Sequence, residues 1–136
     1  MIKNPTLYKC GISYCGVINL FGFLSSVPDY WSPFKDMLYE TIGNPSKDST
    51  MLANGSPYQN VKKIKQPLFI AQGANDPKVS IKDTDSFVKK LKENKNKVEY
   101  FVKENEGHTF LNEENRIELF KQIEKFLSKN IGGRSE

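Results

Sequence analysis

Two short stretches carry residues able to move a proton: "GANDPKV", with Asp76, and "ENEGHTF", with His108, the only histidine in the chain. A carboxylate beside an imidazole fixes the ring's tautomer and stabilises the imidazolium formed when the ring takes a proton. That is the base and orienter that nucleophilic catalysis requires. A third stretch, "CGISYCG" at residues 10–16, nearly spells the G-x-S-x-G turn of serine hydrolases, with Gly11, Ser13 and Gly16. Position 15 is Cys where that pattern needs Gly, and the residues after Gly16, "VINLFGFLSSVP", contain few good helix formers. The nucleophile turn feeds a helix, so Ser13 reads as a strand residue and not as the nucleophile. Singly, His108 also fits an ordinary hydrogen-bonded histidine and Asp76 a turn residue.

The elements that must position these residues follow from hydrophobic patterning. "YKCGISYCGVINL" reads as a buried strand running into a loop, rich in β-branched and aromatic residues. An aromatic, Pro-punctuated stretch comes next. A short helix follows at "PFKDMLYETIG", with Pro33 in its first turn and Gly43 at its end. "GNPSKDSTMLANGSP" is rich in turn residues and reads as loop with at most one helical turn. "QPLFIAQG" is a second buried strand. Apolar residues at 81, 87, 88 and 91 predict a surface helix, and "KVEYFVKE" a third strand. Positions 117, 119, 120, 123, 126 and 127 form the apolar stripe of a last helix from about Glu113 to Lys129, ended by Gly132 and Gly133.

Strands alternating with helices imply βαβ units, hence about three parallel strands flanked by helices in an α/β fold. Functional groups in such sheets gather at the carboxyl ends of the strands. Asp76 and His108 follow successive strands, so both are expected at one edge.

Composition narrows the function classes. The chain has 136 residues with 38% hydrophobic and 12% aromatic content, enough for one modest core. The formal charge of +4 arises from lysines interleaved with Asp, Glu and Asn. That is a solvated surface, with no nucleic-acid partner expected. No apolar run reaches the length of a membrane helix and "MIKNPTLYKC" lacks a signal-peptide core, so no membrane and a cytoplasmic location are expected. Cys10 and Cys15 lack metal-ligand spacing, so no metal is expected. Five apart on a strand, they are expected on opposite faces and unbridged, as small packing residues.

From "PLFIAQG" to the end of "KQIEKFL" the sequence resembles the C-terminal end of the prolyl oligopeptidase family of serine peptidases, which includes acylaminoacyl and dipeptidyl peptidases. A G-x-x-D-x-x-V stretch is matched by Gly73, Asp76 and Val79, and an E/A-G-H stretch by Glu106, Gly107 and His108. "SPYQNVKKIKQPLFI" and "ENRIELF" are also similar, and the first half of the chain matches more softly. The resemblance implies a partial α/β-hydrolase over residues 1–136, with Asp76 as triad acid and His108 as triad base and no cofactor. It implies that "CGISYCG" is the strand after the nucleophile turn, the serine lying about ten residues before Met1. On that reading the chain is inactive alone. The segment after the first strand lines the pocket for the residue preceding the scissile bond, making Val17, Tyr30 and Trp31 candidate substrate contacts. An esterase-type fragment and a non-catalytic interaction fragment are the alternatives. The uncovered first strand predicts a homo-oligomer or pairing with a complementary N-terminal half.

Overall fold

The computed structural model describes residues 1–27 and 29–134. Three parallel strands form one sheet in the order β1–β2–β3: β1 (Gly11–Tyr14), β2 (Leu68–Gly73) and β3 (Val98–Lys103). The registers Ser13↔Ile70 and Ile70↔Tyr100 align the carboxyl ends of all three strands. β2 lies in the middle, and each of its six residues is buried, as a continuous apolar run covered on both faces requires. Between β1 and β2 run α1 (Leu20–Ser25), a 3-10 turn (Asp29–Phe34), α2 (Lys35–Ile42) and α3 (Ser49–Gly55). The longer helices α4 (Ile81–Glu93) and α5 (Glu113–Ile131) follow β2 and β3.

Strand alternation sends β2's side chains to two cores. Leu68 and Ile70 meet Phe87, Val88 and Leu91 of α4. Phe69 and Ala71 meet Leu119 and Phe126 of α5, joined by Phe110 and Cys15. A third cluster, Leu24, Leu38 and Leu52, holds α1, α2 and α3 together. Among the described residues no helix is long and apolar enough to cross a membrane.

Four local expectations are corrected. β1 is not a buried strand: Ile12 and Tyr14 are 40% and 39% exposed, because β1 is an edge of the sheet. Helices form at α1 and α3 despite weak local signals. Each has a leucine to bury, Leu24 and Leu52, and Ser56 Oγ accepts a bond from the Leu20 amide at the start of α1. The α5 stripe is narrower than its periodicity suggests: Leu119 and Phe126 are buried, whereas Ile117 and Phe120 face outward. Finally, Cys10 and Cys15 do not lie on opposite faces. Cys15 has a left-handed φ of 48°, which breaks the strand's alternation, and both thiols border the α5-side core. Both are free.

Leu91 is fully buried and Leu111 is 81% exposed. Leu91→Ala is expected to cost about 2–5 kcal/mol, and Leu111→Ala less than about 0.5 kcal/mol. Urea unfolding midpoints of the two variants check this contrast.

Candidate functional site

The site sits where the chain leaves the three strands. After β2 the backbone turns through "GAND", and after β3 through "ENEGH". The two turns are tied together: the Ala74 amide bonds to Lys103 O, the Asn75 amide to Glu106 O, and Asn75 Nδ2 to Glu104 O at 2.6 Å. The second turn crosses directly over Gly73. A Cβ on Gly73 would overlap the backbone carbonyl oxygens of Gly107 and Glu106, so only glycine permits the crossing.

That crossing delivers His108 to Asp76, with Nδ1 2.9 Å from Oδ2. The carboxylate is held from every side. Its Oδ1 accepts from the amides of Lys78 (2.8 Å) and Val79 (3.0 Å), and its Oδ2 also accepts from Gln72 Nε2 at 3.1 Å. The Asp76 side chain is fully buried, while that of His108 is 36% exposed. Burial pushes the Asp76 carboxyl up, but the Val79 and Lys78 amides and His108 outweigh it, and the group is held below the ordinary carboxylate range. An ionised Asp76 accepts a proton-bearing Nδ1, which leaves Nε2 as the free lone pair of a neutral ring.

His108 is steadied through its own loop. The Glu106 carboxylate, in a residue only 2% exposed, accepts from Leu111 N (2.8 Å), Asn112 N (3.1 Å) and Asn115 Nδ2 (2.7 Å). The Asn115 amide, with the Leu111 and Asn112 N–H groups, holds its carboxyl below the usual range. The Asn112 side chain caps α5 by accepting from the Asn115 amide. On the β1 side, Tyr14 Oη accepts the Phe110 amide at 2.7 Å and its ring meets Phe110 edge-on at 5.2 Å.

Ser13 has no part in this arrangement. It is extended within β1, paired with Ile70 on the α4 face of the sheet. The bend comes two residues later, at Cys15, and four residues separate Cys15 from α1. Gly16 is a packing glycine: a Cβ there would stand 2.6 Å from Ser13 Oγ. Cys15 is itself close to the pair, its Sγ, a carboxylate oxygen of Asp76 and a ring nitrogen of His108 all lying within 4.8 Å of one another. Burial, and then the neighbouring Asp76 charge, push its thiol up to about 11. That is the reverse of an activated nucleophile.

Val17, Tyr30 and Trp31 line one cavity of about 220 Å³ together with His108, Phe23, Val27, Pro77 and Val79. The sequence singled out the first three, and missed Phe23 and Val27, which lie in the aromatic, Pro-punctuated stretch to which it assigned no element. Gln72 was also missed. It lies inside an apolar run, and that position was the available signal: a polar residue 1% exposed within a buried strand must have partners.

Two outcomes test this geometry. Gly73→Ala is expected to destabilise by about 1–3 kcal/mol and to part His108 from Asp76, removing the low-field Nδ1–H proton resonance of the one histidine. Asp76 has a lowered folded pKa, so its contribution to stability is complete above its unfolded value near 4 and is lost as pH falls through the folded value. The stability gap between wild type and Asp76→Asn is therefore expected to narrow from pH 7 to pH 3 in urea titrations.

Residues 1–134 match the sequence profile of the prolyl oligopeptidase family. Dipeptidyl aminopeptidase BIII of Pseudoxanthomonas mexicana is 37% identical over 135 residues, covering 98% of this chain and 20% of that protein. A Mycobacterium tuberculosis puromycin-hydrolyzing peptidase superposes over 99% of this chain and 20% of its own, with a TM-score of 0.88 and 22% identity. The Pyrococcus horikoshii acylaminoacyl peptidase superposes over 100% of this chain and 22% of its own, with a TM-score of 0.79 and 22% identity. The two superpositions establish the fold, a partial α/β-hydrolase. The chain spans about a fifth of the length of the curated relative it matches.

Proposed function

Since the chain belongs to the prolyl oligopeptidase family, we propose that it is the C-terminal portion of a serine-type peptidase that hydrolyses peptide or acyl-amino-acid bonds. The observation that carries this reading is the 2.9 Å contact between Asp76 Oδ2 and His108 Nδ1 at the rim of an apolar cavity. In the reaction, His108 Nε2 takes the proton of a serine hydroxyl as the oxygen attacks the carbonyl carbon. The imidazolium, stabilised by Asp76, then returns that proton to the leaving amine. Water repeats the cycle on the acyl-enzyme. The serine comes from a segment outside this chain, and the chain alone is inactive. No cofactor takes part.

The cavity between Val17, Phe23, Tyr30, Trp31 and Val79 receives the side chain preceding the scissile bond. Its walls, apolar and aromatic apart from Ser26, Lys78 and His108, favour an apolar residue there. Location in the cytoplasm is part of this reading, in keeping with two unbridged thiols.

Assembly follows from β1. Its outer edge has unpaired backbone groups, and Ile12 and Tyr14 stand exposed beside it. An open apolar edge accepts another strand. The reading assigns it to the segment that brings the serine, or to a second copy of the chain when that segment is missing.

The test uses a fluorophosphonate probe. The 136-residue chain is expected to remain unlabelled, whereas a complete enzyme containing it labels at an upstream serine. In that enzyme Asp76→Asn is expected to lower kcat on the order of 10⁴-fold, with His108→Ala at least as damaging. Labelling of the chain itself that Ser13→Ala abolishes refutes the assignment of the serine. Light scattering is expected to find the isolated chain associated, and a stable monomer at high concentration refutes the assembly.

A further inference from the structure

Each of the three strands ends on a side chain able to bind a metal. Cys15 follows β1, Asp76 follows β2 and His108 follows β3, and one ligand atom from each lies within 4.8 Å of the other two. The residues are 61 and 32 positions apart, a spacing invisible to any linear metal motif. We propose that Cys15, Asp76 and His108 form a binding site for a thiophilic divalent cation such as Zn²⁺ or Cd²⁺.

The donor set decides the class of ion. One thiolate, one imidazole and one carboxylate suit borderline-soft ions and suit Mg²⁺ or Ca²⁺ poorly. Zinc bond lengths of about 2.0–2.3 Å place tetrahedral ligands roughly 3.3–3.8 Å apart. Asp76 Oδ2 and His108 Nδ1, 2.9 Å apart, therefore need to part by roughly half an ångström, while Cys15 Sγ, no more than 4.8 Å from a carboxylate oxygen and a ring nitrogen, closes on them by up to about an ångström. His108, its side chain 36% exposed against a fully buried Asp76, is the member with room to move. Its Nδ1 already faces Asp76. On metal binding the ring carries its proton on Nε2 and offers the Nδ1 lone pair. The thiol proton leaves to solvent, and Asp76 is already ionised.

The shell around the site is also in place. Asp76 is oriented by two backbone amides and Gln72. Hydrogen-bonded carboxylates of this kind support metal sites. Cys15 is oriented by backbone: its left-handed φ turns the residue out of the strand alternation, and its Sγ reaches Gly107 O at 3.8 Å, beside His108. Three protein ligands leave a fourth position to water.

Occupancy replaces the Asp76–His108 hydrogen bond by two metal bonds and takes the imidazole out of proton transfer. The ion is thus an inhibitor, a consequence that rests on the peptidase reading above. The site itself does not rest on it, and the experiment below reads binding alone.

Cd²⁺ titrated into the 136-residue chain is expected to bind at one equivalent with the ultraviolet charge-transfer band of a thiolate–cadmium bond, and Zn²⁺ to displace it. The ring resonances of His108 are expected to shift with the same stoichiometry. Cys10→Ser leaves both signals unchanged. Cys15→Ser and Cys15→Ala abolish the band and weaken binding at least tenfold, and His108→Gln also weakens it at least tenfold. The proposal fails if the band survives in the Cys15 variants or disappears with Cys10→Ser. It also fails if the His108 resonances of the wild type do not respond to Cd²⁺, an outcome that requires no variant to fold.

Discussion

The crossing of two backbones at Gly73 governs the geometry of this molecule. The turn after β3 runs so close over the end of β2 that no side chain fits between them. Three hydrogen bonds from Ala74 and Asn75 fasten the turns to each other. Asp76 lies three residues past the crossing on the segment leaving β2, and His108 follows directly after Gly107 on the segment leaving β3. Their contact thus depends on backbone set by a fully buried strand, and only its last step depends on side-chain rotamers. Gln72 extends the same logic into the core, since one amide nitrogen lies within bonding distance of Asp76, Gly73 O and Val79 O. A polar residue in the most buried strand is tolerated because its hydrogen bonds are made.

Around this centre the molecule is unevenly finished. The α4 and α5 faces of β2 are sealed by Phe87, Val88 and Leu91 on one side and by Leu119 and Phe126 on the other. β1 has one neighbour, and its exposed Ile12 and Tyr14 stand where a further strand would add cover. The same strand supplies two groups to the site's border, the Tyr14 hydroxyl and the Cys15 thiol. An open edge and a fully hydrogen-bonded Asp76–His108 contact thus coexist within one sheet.

Much of this was legible in the sequence, for identifiable reasons. β2 and β3 announce themselves as apolar runs closed by turn residues, and α4 by the spacing of Phe87, Val88 and Leu91. The shared edge of Asp76 and His108 follows from their places after successive parallel strands. What escaped depended on partners distant in sequence. The short helices α1 and α3 owe their stability to Leu24 and Leu52 meeting Leu38, and weak local propensity concealed them. The α5 periodicity marks Ile117 and Phe120 as apolar without revealing that both face outward. Cys15 was assigned a face by alternation, and a single left-handed residue undid that assignment. Ser13 was read as a strand residue, and it lies within β1.

The closeness of Asp76 and His108 along the chain bears on how the molecule assembles during folding. A single crossover, β2–α4–β3, brings them together, and closing a loop of 32 residues costs little more entropy than closing a much shorter one. Their encounter needs this one crossover and no segment from before β2. Joining β1 spans a greater separation, since Ser13 pairs with Ile70 across 57 positions. The Asp76–His108 contact thus closes over the shorter loop and the open edge over the longer one, a difference of only about 0.5 kcal/mol in closure entropy.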